Sequence, residues 1–487
     1  MSLDYPPAEL RVLLKQAVEI AAELYDDVDT KPPFHTQSPS AVRLAFDEPL
    51  PRHKADMKQL IKRVAGDVYG AATLNVSPHF FAYVLSGGTH AGIIAELLGA
   101  ALNQTAAKWH LGASATEIER VVIRWIAEFI GFPSDAGGTL VSGGSMANLT
   151  ALAAARAHRA PFDVRVKGAA AGPPLTVYVS AAGHSCLDKA VEMLGLGTEH
   201  LRKVPVGEDD TIDLDALTRM LTADRVAGKH PICVVGNGGT VNSGAVDPLN
   251  ALADLCECEA LWLHVDAAYG GPAAATTPSA GHLFRGLERA DSVALDPHKW
   301  LYVPLDVGCI LVREAEALTA TFGVDAPYLQ QPGDGEERFD LMDSTFQLTR
   351  SFRALKTWMT FKAYGADALR DAIEDNITVM KHLARLVETA EDFELMASPG
   401  LSVVCFRYRP ARDEVSEQSL DTLNRELLAR TETDARIFVA GTMVRGRFAV
   451  RACCVNHRTE ACHVERLLEV LRELGETAVN TARFSLR

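Results

Sequence analysis

Ser292-Val-Ala-Leu-Asp-Pro-His-Lys-Trp300 runs from a short β-favouring segment into a turn that carries one lysine. Residues 292–295 read as a strand, and Asp296, Pro297 and His298 end it. Lys299 then follows a strand end with Trp300 and Leu301 behind it, where an amine can be held partly desolvated. Desolvation lowers a lysine pKa, so the sequence predicts an amine able to attack an aldehyde. Upstream, Leu261-Trp-Leu-His-Val-Asp-Ala-Ala-Tyr269 reads as an apolar strand ending in Asp266.

Working outward, strand-like runs recur at 138–141, 176–180, 232–235, 261–265, 292–295 and 309–312. Between them lie helical stretches such as 145–159, 186–194, 213–227 and 248–256. Short apolar strands alternating with helices imply a mostly parallel sheet covered on both faces. Ligands bind such sheets at the carboxyl ends of the strands. Val141-Ser-Gly-Gly-Ser-Met-Ala-Asn148 stands at one of these ends. Gly143 and Gly144 permit close backbone approach there, and Ser145 opens a helix, which makes an anion cradle suited to a phosphate. Ala182-Gly-His-Ser-Cys186 puts His184 at a second strand end. A buried aspartate, a strand-end lysine and a phosphate cradle are the parts of a pyridoxal phosphate (PLP) site. The aspartate holds the pyridine nitrogen protonated and the lysine bonds the aldehyde.

Composition narrows the remaining classes. The chain has 487 residues, more than one core, so two domains or more are expected. A formal charge of −15 argues against nucleic-acid or anionic-membrane partners. No basic start precedes an apolar terminal run, so no signal peptide is expected. The most apolar long segment, 91–107, contains Glu96 and Asn103 and falls short of a membrane span. The nine cysteines lack zinc-site spacing, which points to free thiols in the cytoplasm and to no metal.

Residues 1–75 read as a helical N-terminal segment, with helices at 7–25 and 51–69 around Pro32, Pro33 and Pro39. Residues 76–365 form the large domain. Within it a helix at 116–129 is preceded by Ser114-x-x-Glu117, similar to a capping box. Residues 314–344 lose all periodicity, with Pro327, Pro332, Gly333 and Gly335, as a lid or an insert would. A helix at 352–364 ends at Gly365. Residues 366–487 then read as a smaller α+β domain, with helices at 367–389 and 460–474 and strands near 401–407 and 447–453.

Taken together, His298-Lys-Trp300, His264-Val-Asp-Ala-Ala268, Ser77-Pro-His-Phe-Phe-Ala-Tyr83 and Gly238-Gly-Thr-Val-Asn-Ser-Gly-Ala245 resemble the group II PLP-dependent amino-acid decarboxylases. The resemblance is closest to the aromatic-L-amino-acid type and runs over about residues 78–454. It implies an α/β protein of PLP fold type I, the aspartate-aminotransferase-like fold. That fold has a mostly parallel seven-stranded sheet with helices on both faces and a smaller C-terminal α+β domain. It also implies a homodimer with active sites at the interface, the N-terminal segment packing on the partner.

Position by position, the resemblance makes Lys299 the residue that bonds PLP and Asp266 the partner of the pyridine nitrogen. It makes His184 the imidazole that stacks on the ring and faces the substrate carboxylate. Gly143, Gly144, Ser145 and His298 would contact the phosphate, Thr240 the ring hydroxyl, and Ala268 would lie under the ring. Tyr328, 29 positions after Lys299, matches a lid tyrosine that donates a proton. His79, Phe80 and Tyr83 fall in the substrate-pocket segment, and Arg350 matches an arginine near the active site.

The departures lie mostly in the side-chain pocket. Bulky positions of the animal enzymes align with Asn75, Val84, Thr105 and Ala107, position 349, often Gly or Ser, is Thr349, and the first threonine of a Gly-Thr-Thr motif is Gly239. The implied activity is that of a carboxy-lyase of amino-acid (carboxylic acid) metabolism, converting an L-amino acid, aromatic in the closest type, to its amine and CO2. Alternatives on the same fold are a non-aromatic substrate, an aldehyde synthase, a carbon–carbon lyase and, remotely, a non-catalytic PLP-binding paralogue. In the aldehyde synthases phenylalanine typically replaces the lid tyrosine, so Tyr328 favours the amine.

Overall fold

The larger sheet has seven strands: β1 (Gly137–Val141), β2 (Leu175–Ser180), β3 (Leu201–Val204), β4 (His230–Asn237), β5 (Trp262–Asp266), β6 (Ser292–Leu295) and β7 (Gly308–Val312). They lie in the order β1-β7-β6-β5-β4-β2-β3. The pairs from β3 across to β6 are parallel, and β7 runs antiparallel to both β6 and β1. The computed structural model describes residues 3–276, 279–324, 338–398, 400–411 and 415–481.

Strands β2, β5, β6 and β7 are buried along their whole length, which is why they read as continuous apolar runs. Alternate residues serve opposite faces. Val177 and Val179 pack with Ala151 and Leu187 on one face, and Tyr178 with Leu217 and Leu252 on the other. The sequence reading missed β3. Only Leu201 and Val204 of that edge strand are buried, while Arg202 and Lys203 break the apolar run.

The smaller sheet is antiparallel and joins β8 (Phe393–Ala397), β9 (Val403–Tyr408), β10 (Ala440–Val444) and β11 (Arg447–Cys453) in the order β10-β11-β9-β8. Two of these strands, β8 and β10, carry partly exposed residues and went unread for the reason that hid β3. The helix Arg353–Thr389 ties the two sheets together and is broken at Gly365, where φ is 80°. Its later turns bury Met380, Leu383 and Val387 against Val404 and Phe406 of β9.

Two local expectations were wrong. The helix expected over 51–69 begins only at Met57, because the Asp56 carboxylate accepts the Lys58 N–H and sets the cap there. The capping box does not form either. The helix Ala113–Ile130 starts before Ser114, which instead donates to Gln104, while Glu117 accepts the Trp109 indole N–H.

That helix also carries Glu119, which is 1% exposed and ion-paired with Arg350, itself 2% exposed. Arg350 donates further to the carbonyls of Ala106 and Leu140, each at 2.7 Å. Glu119 accepts the Leu140 N–H at 2.9 Å. One buried pair therefore joins β1, the Ala113–Ile130 helix and the segment before Arg353. Removing one partner leaves an uncompensated buried charge, at a cost of about 3–5 kcal/mol. Arg350→Ala is expected to lose that much stability in urea unfolding, and Arg350→Ala/Glu119→Ala to lose less than the sum of the two single variants.

Candidate active site

Strands β1, β2, β4, β5 and β6 end along one rim, and the residues that follow them enclose a cavity of about 780 Å³. Its lining brings together Gly143, Gly144, Ser145, His184, Thr240, Asp266, Ala268, His298 and Lys299, all named from the sequence. Tyr83 and Val84 line it as well.

Lys299 sits in the helical turn Pro297–Trp300 directly after β6. Its Nζ lies 3.0 Å from Asp296 Oδ2. Burial alone would lower its pKa, but the charge and hydrogen bond of Asp296, with Asp266 nearby, raise it above the usual lysine value. The expected lowering is therefore reversed. Trp300 turns away from the amine, stacks on Tyr269 with ring centroids 5.1 Å apart, and donates to Asn376. The residue that meets the amine is Asp296, whose part the sequence reading missed although it stands three positions before the lysine.

Asp296 is 1% exposed, and its Oδ1 has no hydrogen-bond partner among the described residues. The space around it requires glycine. A Cβ at Gly144 would come within 2.8 Å of Asp296 Oδ2, and one at Gly308 within 2.5 Å of the Gly143 backbone.

Asp266 ends β5 and is buried. Its Oδ1 accepts the Ala268 N–H at 3.2 Å and its Oδ2 the Asn148 amide at 3.0 Å. Burial pushes its pKa up, opposed mainly by the positive Lys299. His184 accepts the Cys186 N–H at Nδ1, 3.1 Å away, so its Nε2 carries the proton of the neutral ring.

The Gly143–Ser145 turn opens the helix Gly144–Arg159, and no side chain caps it. Its first N–H groups are thus left for an anion. His298 stands beside the turn, with its Cε1 3.4 Å from where a Gly143 Cβ would be. Its Nδ1 lies 2.5 Å from the Val307 carbonyl, and burial lowers its pKa. Thr240 is buried, its hydroxyl accepting the Ala245 N–H at 3.0 Å and lying 3.1 Å from Ser243 Oγ. Gly239 has φ of 112°, and a Cβ there would lie 2.8 Å from the Tyr269 ring, which accounts for glycine in place of threonine.

Other candidates lie elsewhere. Thr105, Thr349 and Arg350 line a second cavity of about 420 Å³, which shares only Leu305 with the first. Phe80 packs on Phe438, and the Asn75 amide donates to the Ser86 carbonyl. Ala107 is buried, its carbonyl accepting the Met342 N–H. His79 Nε2 lies 3.3 Å from Asp29, which His463 Nε2 also approaches at 2.8 Å. His463 Nδ1 accepts the Glu460 N–H, so its Nε2 is a proton donor and this trio is a hydrogen-bond clasp. Tyr328 is outside the described residues.

Sequence reasoning missed Arg451 on β11. It is 4% exposed and lines the first cavity. Nη1 donates to the Tyr83 carbonyl at 3.2 Å, while Nε and Nη2 have no partner among the described residues. An arginine inside the apolar run Phe448-Ala-Val-Arg-Ala-Cys453 was the available signal.

The donor set fits PLP: an uncapped helix start for the phosphate, a buried carboxylate for the pyridine nitrogen, and an amine between them. Ala268 supplies a small floor, with its Cβ only 3.0 Å from where a Gly144 Cβ would sit. Residues 39–409 match the family described as the pyridoxal-dependent decarboxylase conserved domain. An aromatic-L-amino-acid decarboxylase of Bacillus atrophaeus is 34% identical over 98% of this chain and 97% of its own length. A phenylacetaldehyde synthase of Petunia hybrida is 30% identical over 97% and 96% of the two chains. The crystal structure of Oryza sativa TDC with PLP and tryptamine superposes with a TM-score of 0.91 at 30% identity, over 98% of this chain and 99% of that one. Matched over 98% of its length, the chain belongs to the PLP-dependent amino-acid decarboxylases, which are carboxy-lyases.

Proposed function

We propose that this enzyme converts an aromatic L-amino acid to its amine and CO2, with Lys299, Asp266, His184 and Tyr328 as its catalytic groups. The convergence of Lys299, Asp266 and the Gly143–Ser145 turn in one cavity carries the reading. The aromatic substrate is supported by the relatives' names and by a cavity of about 780 Å³, large enough for cofactor and ring together. PLP, when bound, withdraws electrons from the α-carbon of an attached amino acid, and the bond standing perpendicular to its ring is the one that breaks.

The chain's own residues do the rest. Lys299 would hold the cofactor through its amine, and Asp296, 3.0 Å from that nitrogen, would pair with its ammonium form. Asp266 places a negative charge at the pyridine nitrogen in a dry site. His184 would stack on the cofactor ring, and Ala268 would be the small residue packed under it. Arg451 offers two unengaged donors to the substrate carboxylate and so fixes which bond stands perpendicular. Tyr328 returns a proton to the α-carbon.

A cytoplasmic homodimer completes the reading. Leu10, Val12, Leu14 and Val18 on the first helix, and Ile94, Leu97, Leu98 and Leu102 on His90–Leu102, are exposed apolar residues that a second copy would cover. Among the described residues no helix is long and apolar enough to cross a membrane.

The function is tested by incubating the holoenzyme with each aromatic amino acid. Stoichiometric amine and CO2 are expected, with borohydride reduction labelling the peptide that contains Lys299. A label on another lysine, or no amine from any aromatic substrate, sinks the proposal.

Covalent attachment needs neutral Lys299, and its raised pKa keeps the ammonium form as pH climbs, so attachment should speed up with rising pH. Asp296→Asn removes the raising charge and leaves burial dominant. The rate of PLP reconstitution of the apoenzyme, followed by absorbance, should then shift its profile to lower pH. An unmoved profile would show that Asp296 does not govern the amine.

Tyr328→Phe should bind PLP yet make less amine and more aldehyde. Mixing Tyr328→Phe with Lys299→Ala subunits should restore amine formation if Tyr328 serves the partner's site. Each mixed dimer then has one site with both groups intact. No recovery despite demonstrated subunit exchange would place Tyr328 in its own chain's site or outside catalysis.

A further inference from the structure

Trp262, His264 and Asp266 alternate along one face of β5, and all three are buried. Asn148, on the helix Gly144–Arg159, reaches across to that face and is 1% exposed. Its Nδ2 donates to Asp266 Oδ2 at 3.0 Å, and its Oδ1 lies 2.7 Å from His264 Nε2. On the other side of the imidazole, His264 Nδ1 lies 2.9 Å from Ser292 Oγ, which accepts the Trp262 indole N–H at 2.8 Å.

The two ends of this row decide between its two polarities. An indole nitrogen only donates, so the Ser292 hydroxyl accepts from Trp262 and has its own proton to give to His264 Nδ1. His264 is then the tautomer that carries its proton on Nε2, and that proton goes to Asn148 Oδ1. The Asn148 amide cannot flip without losing this bond, so its N–H groups stay aimed at Asp266. The opposite polarity uses the Ser292 carbonyl, 3.3 Å from Nδ1, and turns the Asn148 oxygen toward Asp266. Two acceptors would then face each other unless Asp266 were protonated.

We propose that Asn148 and His264 are positioning residues whose oriented hydrogen bonds keep Asp266 ionised and aimed at the pyridine nitrogen of bound PLP. The inference rests on the role given to Asp266 above. A buried carboxylate otherwise tends to take up a proton, and donors to its charged form are what oppose that. His264 is suited to the task because burial pushes its pKa down to about 4, which keeps it neutral and its tautomer fixed at working pH. His264 and Ser292 are absent from the cavity lining, so neither touches substrate or cofactor.

The test reads the cofactor directly. Holoenzymes carrying PLP labelled with 15N in the ring are compared by NMR, and PLP affinity is measured on the apoenzymes. Wild type should show a protonated pyridine nitrogen, and Asp266→Ala should lose it. If Asp266→Ala leaves the signal unchanged, the role of Asp266 is what fails.

With that control in place, Asn148→Leu and His264→Phe should move the signal toward the unprotonated position. Both should also bind PLP about tenfold more weakly, the usual scale for one hydrogen bond to a charged group. His264→Gln, whose amide N–H can still reach Asn148, should recover most of both. Wild-type signal and affinity in Asn148→Leu and His264→Phe would overturn the proposal, as would equal loss in His264→Gln and His264→Phe. Should His264→Phe fail to fold, Asn148→Leu and Asn148→Ala decide in its place, because that side chain lies at the cavity wall and leaves β5 intact.

Discussion

Keeping charge at the ends of buried strands is the constraint on which the rest of this structure depends. Asp266 and Asp296 both stand where water is nearly absent, and burial pushes the Asp266 pKa up against the pull of its partners. The parallel sheet supplies some of them. At a strand end the backbone N–H groups of the following turn point at the rim, as that of Ala268 does toward Asp266. The remainder come from helices that start at the same rim, such as the one that delivers Asn148. Lys299 stands 3.0 Å from Asp296, and its positive charge also opposes the rise in the Asp266 pKa.

The same constraint separates working groups from structural ones. Among the described residues three arginines are almost fully buried. Arg350 is matched by Glu119, and Arg407 by Glu394 and Glu417, each with further hydrogen bonds. Such a pair is costly to break, and of these two arginines only Arg350 keeps a nitrogen, its Nε, without a partner among the described residues. Arg451 differs in having no carboxylate partner among the described residues: one nitrogen donates to a carbonyl and two more are buried without a partner. An unmet donor in a dry pocket is unfavourable in the absence of a ligand and becomes favourable when a carboxylate arrives. Burial alone would have ranked the three together. The count of partners tells them apart.

What the sequence disclosed follows from how local each feature is. Lys299, Asp266, His184 and the Gly143–Ser145 turn each sit within a few residues of a strand end. An apolar run, a small-residue turn and a reactive side chain are all visible in one short window. Most strands of the larger sheet were legible for the same reason, apart from edge strands such as β3, where exposed Arg202 and Lys203 interrupt the apolar signal. Arg350 was misplaced because its meaning depends on Glu119, more than two hundred positions away, which no window contains. The lysine pKa was read with the wrong sign because a chain reading counts Trp300 and Leu301 as neighbours. In the fold the neighbour is Asp296, brought onto the amine by one helical turn.

Locality also divides the site itself. The cofactor half proposed for it is made of strand-end motifs whose spacing is fixed by the sheet. Another part of the cavity wall is assembled from Tyr83 and from Thr442 and Arg451 of the β10–β11 hairpin, which lie far apart in the chain and meet only in the folded state. Tyr83 is held at φ of 56° and depends on Arg451 for the hydrogen bond to its carbonyl, so that wall follows the placement of β11 and not of the larger sheet. Changes there can reshape the space for a side chain without disturbing the bonds that hold PLP. Proteins about 30% identical to this chain include both a tryptophan decarboxylase and a phenylacetaldehyde synthase, a range of outcome that a fixed cofactor half and an independently built substrate wall allow.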